Sequence, residues 1–160
     1  MTRSPRRTAA RFDSLQQEAY LALWRTYDRL RVFEDELFAK FDLTAQQYNL
    51  LRLVKASRPS PVPTLSLMAR LVSRAPDVTR MLDRLEERAW IIRTRSDEDR
   101  RAVLVGLTRS GLALLGQIVE PLRECQERQL GHLPSSDLIA LVQLLQKARA
   151  PHEPTDSPWK

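Results

Sequence analysis

Apolar residues recur every three or four positions through the N-terminal part of the chain, from Leu15 to Phe41. This spacing keeps them on one face of an α-helix, so the pattern predicts one long amphipathic helix over residues 13–41. At 1.5 Å per residue the helix would extend roughly 40 Å. A small globular domain does not need a helix of that length, and we therefore expect part of its apolar face to pack on a second chain.

Capping signals and prolines delimit the next two helices. The sequence Thr44-Ala-Gln-Gln47 has the form of a capping box and predicts a second helix that ends near Ala56. Residues 58–63 contain three prolines and are expected to form a stiff loop. Thr64 follows this loop and is expected to cap a short third helix.

The segment from Pro76 to residue 107 has the pattern of a helix followed by a β-hairpin. Proline is favoured in a first helical turn, so the fourth helix is expected to run from Pro76 to about Arg88. The residues at 90–95 and 101–107 favour strands, and they flank the turn Ser96-Asp-Glu-Asp99. That arrangement predicts a hairpin.

Two further helices are expected before a short tail. Thr108 is placed to cap a fifth helix, which Pro121 should bend or weaken. A last helix is predicted over residues 135–148. Residues 150–160 contain three prolines and are expected to be disordered, and residues 1–12 have the composition of a flexible basic arm.

The order of these elements, two helices across a tight turn and then a hairpin, is that of a winged helix-turn-helix. The fold class is therefore mostly α with a small β-hairpin wing. On a helical wheel, Arg80 and Arg84 stand one turn apart on the exposed face of the fourth helix, where a DNA major groove could receive them. The alternative is a solvated lattice of ion pairs in which these arginines meet Asp83 and Glu87. The wheel also gives the helix a buried stripe, formed by Val78, Met81, Leu82 and Leu85.

Four arginines belong to the hairpin: Arg93, Arg95, Arg100 and Arg101. Asp99 lies two residues before Arg101, so we expect both on one strand face, where the carboxylate would hold the guanidinium. An arginine fixed in this way suits a narrow minor groove. The alternative is a surface hairpin without a role in binding.

Charge and composition support a partner that carries phosphate. The 160 residues include 26 Lys and Arg against 20 Asp and Glu, a net charge of +6, and 42% of them are hydrophobic. Only four of the 26 cations are lysines, so 22 are arginines, whose planar fork suits phosphates and guanine edges. One cysteine, no apolar run of about 18 residues and no signal sequence together predict a cytoplasmic protein without a membrane partner.

Few residues favour catalysis or a metal. Cys125 is interpreted as a small packing residue of the fifth helix. His132 and His152 are far apart, so no four-ligand zinc site can be drawn. The sequence has no pairing of a nucleophile with a base and no phosphate loop, and it predicts neither an enzyme nor a cofactor.

Three stretches, residues 74–80, 82–88 and 99–111, resemble the MarR family of transcription regulators. The last is similar to the family's wing signature, with an Asp two residues before an Arg, alternating aliphatic residues, Leu-Thr and a Gly. The resemblance implies a homodimer that binds a pseudo-palindromic DNA operator, usually as a repressor, and that a small aromatic or phenolic ligand releases. The resemblance implies a single domain over residues 13–149. Within it, residues 13–43 and 112–149 would form the dimerisation helices and residues 44–111 the winged-helix lobe.

The resemblance also implies which residues meet DNA. They lie around the fourth helix and the hairpin: Arg74, Pro76, Asp77, Thr79, Arg80, Arg84, Arg95, Asp99, Arg100 and Arg101. Ala89 departs from the family, which commonly has glycine at this left-handed turn, and an L-residue there is costly.

A ligand cleft is predicted where the first two helices meet. Trp24, Tyr27 and Tyr48 would stack on a small aromatic anion, and Arg52 or Arg25 would pair with its charge. The alternative is that these aromatic residues are plain core. For the whole protein, the alternative is a helical dimer whose winged helix binds other proteins and has no specific affinity for DNA, and a third reading is DNA binding without an effector.

Overall fold

The computed structural model describes residues 12–73 and 77–159, and it confirms a mostly helical fold with a winged helix. The wing belongs to a three-stranded sheet, one strand more than the hairpin that the sequence predicts. The elements in chain order are α1 (Leu15–Ala39), α2 (Ala45–Ala56), β1 (Val62–Pro63), α3 (Thr64–Arg70), α4 (Val78–Glu87), β2 (Ile91–Arg95), β3 (Val103–Leu107), α5 (Arg109–Leu130) and α6 (Ser135–Arg149).

Two of the predicted caps are present. The Thr44 hydroxyl accepts the amide of Gln47 at 3.2 Å, and the Gln47 side chain accepts the amide of Thr44 at 2.9 Å, which completes the capping box. Thr108 accepts the amide of Gly111 at 3.0 Å at the start of α5. This helix continues through Pro121.

Two predicted helix starts are wrong. Thr64 does not cap α3, because its hydroxyl donates instead to the carbonyl oxygen of Val103 at 3.1 Å and joins the helix to the sheet. The α4 helix begins at Val78, and Asp77 is its N-cap, accepting the amide of Arg80 at 2.9 Å. Pro76 was expected in the first turn of this helix and lies outside the described residues.

The sheet has the order β1-β3-β2, with both pairs antiparallel. Its first strand replaces the end of the predicted stiff loop, since Val62 pairs with Val105 and Pro63 with Leu104. Proline has no N–H to donate and is tolerated at a sheet edge. The hairpin itself is confirmed, with Ile91 opposite Leu107 and Arg95 opposite Val103.

One core joins the winged-helix lobe to the C-terminal end of α1 and to the middle of α5. Its largest fully buried side chains come from five helices and the sheet, and they include Phe38, Leu50, Leu51, Leu67, Leu85, Ile91 and Ile118. Along the long helices, the Gln129 side chain donates to the Leu30 carbonyl at 2.9 Å and holds α5 on α1. The lobe is thus attached directly to the helices that were expected to form a dimer.

The outer half of α1 and all of α6 leave apolar side chains in solvent. The α6 helix has no buried residue in the described single chain. The most exposed of these side chains are Leu15, Tyr20, Trp24 and Tyr27 on α1, and Ile139, Val142 and Leu144 on α6. A surface of this kind is typical of a protein–protein interface.

The C-terminal segment differs from the disordered tail that was expected for residues 150–160. Through residue 159 it folds back on α6, with a short 3₁₀ helix at Ala150–His152. Arg149 fixes it by donating to the carbonyl of Trp159 at 3.0 Å and pairing with Glu153 at 3.0 Å. Within the described ranges, no helix combines the length and the apolar character that a membrane span requires.

Candidate DNA-binding interface

Helix α4 presents the predicted faces. Its apolar stripe is buried, and Thr79, Arg80 and Arg84 are exposed on the other side. Asp77 is exposed at the start of the helix, where its carboxylate is occupied by the Arg80 amide. The candidates Arg74 and Pro76 lie outside the described residues.

The arginines of this face are not bound into a lattice of ion pairs. Asp83, one proposed partner, pairs instead with Arg93 of the wing at 2.7 Å. In the part of the chain that the structure describes, neither Arg80 nor Arg84 makes an ion pair. Their guanidinium groups are therefore available to a ligand outside the chain.

Arg93 has a structural role that the sequence interpretation missed. Its Nε donates to Glu86 Oε2 at 2.8 Å, and its backbone amide donates to Glu86 Oε1 at 2.8 Å. These hydrogen bonds lower the pKa of Glu86 and raise the pKa of Arg93. Because side chains alternate along a strand, Arg93 shares the inner face of β2 with the buried Ile91, and this alternation was the signal available in the sequence.

The tip of the wing carries three exposed arginines. Arg95 ends β2, and Arg100 and Arg101 lie in the following loop. The sequence predicts that Asp99 and Arg101 share a strand face. This prediction is wrong, because both residues precede β3. The Asp99 carboxylate accepts the backbone amide of Arg101 at 2.9 Å, so it fixes the main chain of the arginine and not its guanidinium.

Ser96 also organises this loop. Its hydroxyl accepts the amides of Glu98 at 3.2 Å and Asp99 at 3.3 Å, while its own amide donates to the Ala102 carbonyl at 3.0 Å. The sequence interpretation recognised the turn but not this hydroxyl, although serine is a common turn-forming residue. The loop is thus held by its own hydrogen bonds.

The joint between α4 and the wing has the left-handed geometry that its position requires. Ala89 has a φ of 57°, its amide donates to the Glu86 carbonyl at 2.8 Å, and the Trp90 amide donates to the Leu85 carbonyl at 3.0 Å. This is a Schellman motif with alanine in place of the usual glycine. The hydroxyls of Thr108 and Ser110 donate to the Ala89 carbonyl at 2.6 Å and 2.5 Å and fix the start of α5 against the joint.

A second contact joins α4 to the end of α1. Arg88 pairs with Asp42, and its guanidinium lies 5.1 Å from the centroid of the Trp90 ring. The position of α4 therefore depends on the turn that follows α1.

A cavity of about 520 Å³ lies where α1, α2 and α5 meet. It contains three of the predicted ligand residues, Tyr27, Tyr48 and Arg52, and the Tyr48 ring stacks on Phe38 with centroids 4.7 Å apart. The prediction that Trp24 is a ligand residue of this cavity is wrong, because Trp24 does not line the cavity. It lies one helical turn farther out on α1, 60% exposed, with its ring centroid 6.2 Å from that of Tyr20.

Titratable groups around this cavity have shifted pKa values. Burial raises the pKa of Glu34, and the neighbouring Asp35 adds to the shift. Burial also raises the pKa of Tyr48. Cys125 is buried in the core cluster, as expected of a packing residue, and burial raises the pKa of its thiol.

Comparisons with known proteins agree on one family. Residues 43–103 match the model of the MarR family. The chain is 31% identical over 107 residues to the multiple antibiotic resistance protein MarR of Salmonella typhimurium, covering 66% of this chain and 73% of that protein. A MarR transcription factor from Planctomyces limnophilus is 52% identical and has a TM-score of 0.67, with 85% of this chain and 98% of that chain covered.

The chain belongs to the MarR family. A mutant MarR from E. coli in complex with operator DNA has the same fold, with a TM-score of 0.74 at 24% identity over 84% of this chain and 98% of that one. The chain spans about half the length of two other curated relatives, 52% of PecS from Dickeya dadantii and 46% of MprA from E. coli. The family consists of transcription regulators, which favours a function other than catalysis.

Proposed function

We propose that this MarR-family protein is a homodimeric repressor that binds a pseudo-palindromic operator and is released by a small aromatic ligand. The observation that carries the proposal is the pair Arg80 and Arg84, exposed one turn apart on α4 without ion-pair partners among the described residues. Beside them, the wing presents Arg95, Arg100 and Arg101. The helix would enter the major groove and the wing would lie along the minor groove.

Relatives support DNA as the partner and repression as the role. A MarR from E. coli and MepR from S. aureus are each known in complex with DNA. Two relatives, MprA and NicR, are transcriptional repressors. A regulator of this kind would act in the cytoplasm on chromosomal DNA.

The exposed apolar faces of α1 and α6 support the dimer. Two copies would cover these faces and bring two recognition helices to half-sites about one helical turn apart, roughly 34–36 Å along the duplex. Residues 13–43 and 112–149 contain these helices and are proposed to form the dimer interface.

The cavity supports regulation by a ligand. The BpsR protein of Bordetella bronchiseptica, which has this fold, is regulated in its DNA binding by 6-hydroxynicotinic acid. In this chain Tyr27, Tyr48 and Arg52 would hold the ligand. Leu71, Val72 and Ser73 also line the cavity and lie shortly before the recognition helix, so a ligand that prefers one position of this segment would shift the spacing of the two reading heads.

The test of DNA binding begins with an operator selected from random duplexes. The affinity of the protein for this operator is then measured at fixed salt for the parent, for Arg80→Ala and for Arg58→Ala, a control arginine that is exposed in the loop after α2. Loss of a bidentate base contact should weaken binding by Arg80→Ala by about 1–3 kcal/mol, and Arg58→Ala should bind like the parent. Equal affinities for all three proteins would contradict the assignment of α4, and failure to select any duplex would favour the protein-binding alternative.

A further inference from the structure

The cavity holds two opposite charges whose use the proposed function leaves open. Glu34 enters it from α1, and Arg52 enters it from α2. Within the described residues, 12–73 and 77–159, no side chain or backbone group forms an ion pair or a hydrogen bond with the Glu34 carboxylate. Arg52 makes one hydrogen bond, to the neutral side chain of Asn49 at 3.0 Å, and its charge is not neutralised by a carboxylate of the described chain.

Both charges act on the same aromatic ring. Burial is the main cause that raises the pKa of Tyr48. The Arg52 guanidinium lowers this pKa, and the Glu34 carboxylate raises it further. Tyr48 stacks on Phe38, and Tyr27 lines the same space. The cavity is therefore lined by aromatic rings, by an arginine and by a partly buried carboxylate.

This arrangement selects against a ligand with a single charge. A simple aromatic acid would pair with Arg52 but would leave the Glu34 carboxylate desolvated and unpaired. An aromatic cation would pair with Glu34 and leave Arg52 without a partner. A ligand that covers the half-buried Glu34 carboxylate without pairing it carries a large penalty, whereas charge-assisted hydrogen bonds to both Glu34 and the exposed Arg52 are favourable.

We propose that the effector is an amphoteric aromatic compound: a flat ring that carries an acidic group for Arg52 and a protonated amine or equivalent N–H donor for Glu34. The proposal rests on the proposed function, since it names the class of ligand for the same cavity. It also changes the expectation from the sequence, which placed a small aromatic anion in this cleft.

The test uses three compounds of matched size with the full-length protein at neutral pH. They are (aminomethyl)benzoate, which is a zwitterion, methylbenzoate, which is an anion, and methylbenzylamine, which is a cation, each as its meta and para isomers. Calorimetry should show that the tighter-binding isomer of the zwitterion has about tenfold higher affinity than either singly charged compound. One additional charge-assisted hydrogen bond accounts for a difference of this size. A methylbenzoate that binds as tightly as the zwitterion, or binding by none of the probes, overturns the proposal without any variant.

Two variants then assign the charges. Glu34→Gln should remove the advantage of the zwitterion over methylbenzoate, and Arg52→Gln should remove its advantage over methylbenzylamine. Glu18→Gln, on the exposed first turn of α1, is the matched control and should keep both advantages. Thermal melting verifies that each variant folds, and an unchanged preference in folded Glu34→Gln contradicts the role of that carboxylate.

Operator binding is measured separately, first without ligand and then with each probe. If the operator is bound and only singly charged aromatic acids release it, the amphoteric ligand is wrong and the proposed function stands. If no operator is bound but calorimetry gives the expected order of affinities, the cavity assignment stands and the proposed function fails.

Discussion

At the scale of single residues, Ala89 is the position where this protein departs most clearly from favourable local chemistry. Its φ of 57° belongs to the left-handed region, where a Cβ atom meets the following carbonyl oxygen. The position is held by contacts from outside the helix, since Thr108 and Ser110 both donate to its carbonyl. Gly111 is also required here, because a Cβ on it would meet the carbonyl oxygen of Trp90. The tertiary structure therefore imposes a conformation that alanine does not favour.

Ala89→Gly should raise the free energy of unfolding by about 1 kcal/mol, because glycine adopts this conformation without the steric cost. The matched control is Ala69→Gly, which places the same change in the exposed part of α3 and should lower stability by about 1 kcal/mol. Urea denaturation at equal chain concentration gives both values. If both variants lower the free energy of unfolding, the left-handed conformation of Ala89 does not carry the predicted steric cost.

At the scale of elements, the wing and the recognition helix form one unit through Arg93. Asp83 and Glu86 of α4 both contact this arginine, at 2.7 Å and 2.6 Å from its Nη2. Two carboxylates that would otherwise repel DNA are thereby neutralised on the inner side of the unit. The remaining arginines of α4 and of the loop are left exposed, which is the distribution that a DNA-binding surface needs.

Glu86→Gln should destabilise the protein by about 1 kcal/mol at neutral pH, as expected for a largely surface ion pair. The pKa of Glu86 is lowered from its ordinary value of 4.5 in the folded state, so its contribution is present above pH 4.5 and is lost as the pH falls through the folded pKa. Parent and variant should therefore become equally stable in acid. Glu87→Gln, the exposed neighbour, should have little effect at either pH, and a constant difference for Glu86→Gln from neutral pH into acid would contradict the assignment.

Arg101→Ala should weaken binding to many duplexes and reduce the slope of log K against log salt by about one unit, as expected for loss of one contact to the DNA backbone. Asp99→Ala should have part of this effect, because the amide of Arg101 loses its acceptor. Asp97→Ala removes a charge from the same loop and is the control, since loss of a negative charge alone should strengthen binding. If Asp99→Ala also strengthens binding, Asp99 does not position the wing.

At the scale of the whole molecule, two elements of the single chain carry exposed apolar side chains, the outer half of α1 and α6. The winged-helix lobe, by contrast, shares a buried core with residues of α1 and α5. A dimer would cover both apolar surfaces and would set the distance between the two recognition helices. Dimerisation is therefore proposed as a condition for operator binding as well as for solubility.

Light scattering should give about twice the 18.5 kDa mass of one chain at micromolar concentration. The double variant Ile139→Glu, Val142→Glu should reduce that mass to one chain and abolish operator binding, because charges would be buried at the proposed interface. Leu65→Glu, at an exposed apolar position on α3, should remain dimeric. A parent protein that scatters as a monomer would contradict the dimer.

The sequence by itself determined the features that depend on residues near one another in the chain. The Thr44 capping box, the Thr108 cap and the buried stripe of α4 join residues three or four positions apart, and the hairpin joins two strands that follow one another in the sequence. These features were sufficient to predict the winged-helix order, and the family comparison agrees with it. The predicted DNA-binding residues Arg80, Arg84, Arg95, Arg100 and Arg101 are all exposed, although Arg101 lies in the loop and not on the strand, and their contacts with DNA stay predictions.

Only the tertiary structure decided the features that join distant segments. Arg93 belongs to a clamp and not to the DNA surface because two carboxylates of α4 face it. Thr64 binds Val103, 39 residues away, in place of capping its own helix. Trp24 lies outside the cavity, and Glu34 lies within it, because the packing of α1 against α2 and α5 selects which turn of the long helix faces inward. A local pattern assigns a residue to a face of its element, but the packing of elements decides what that face meets.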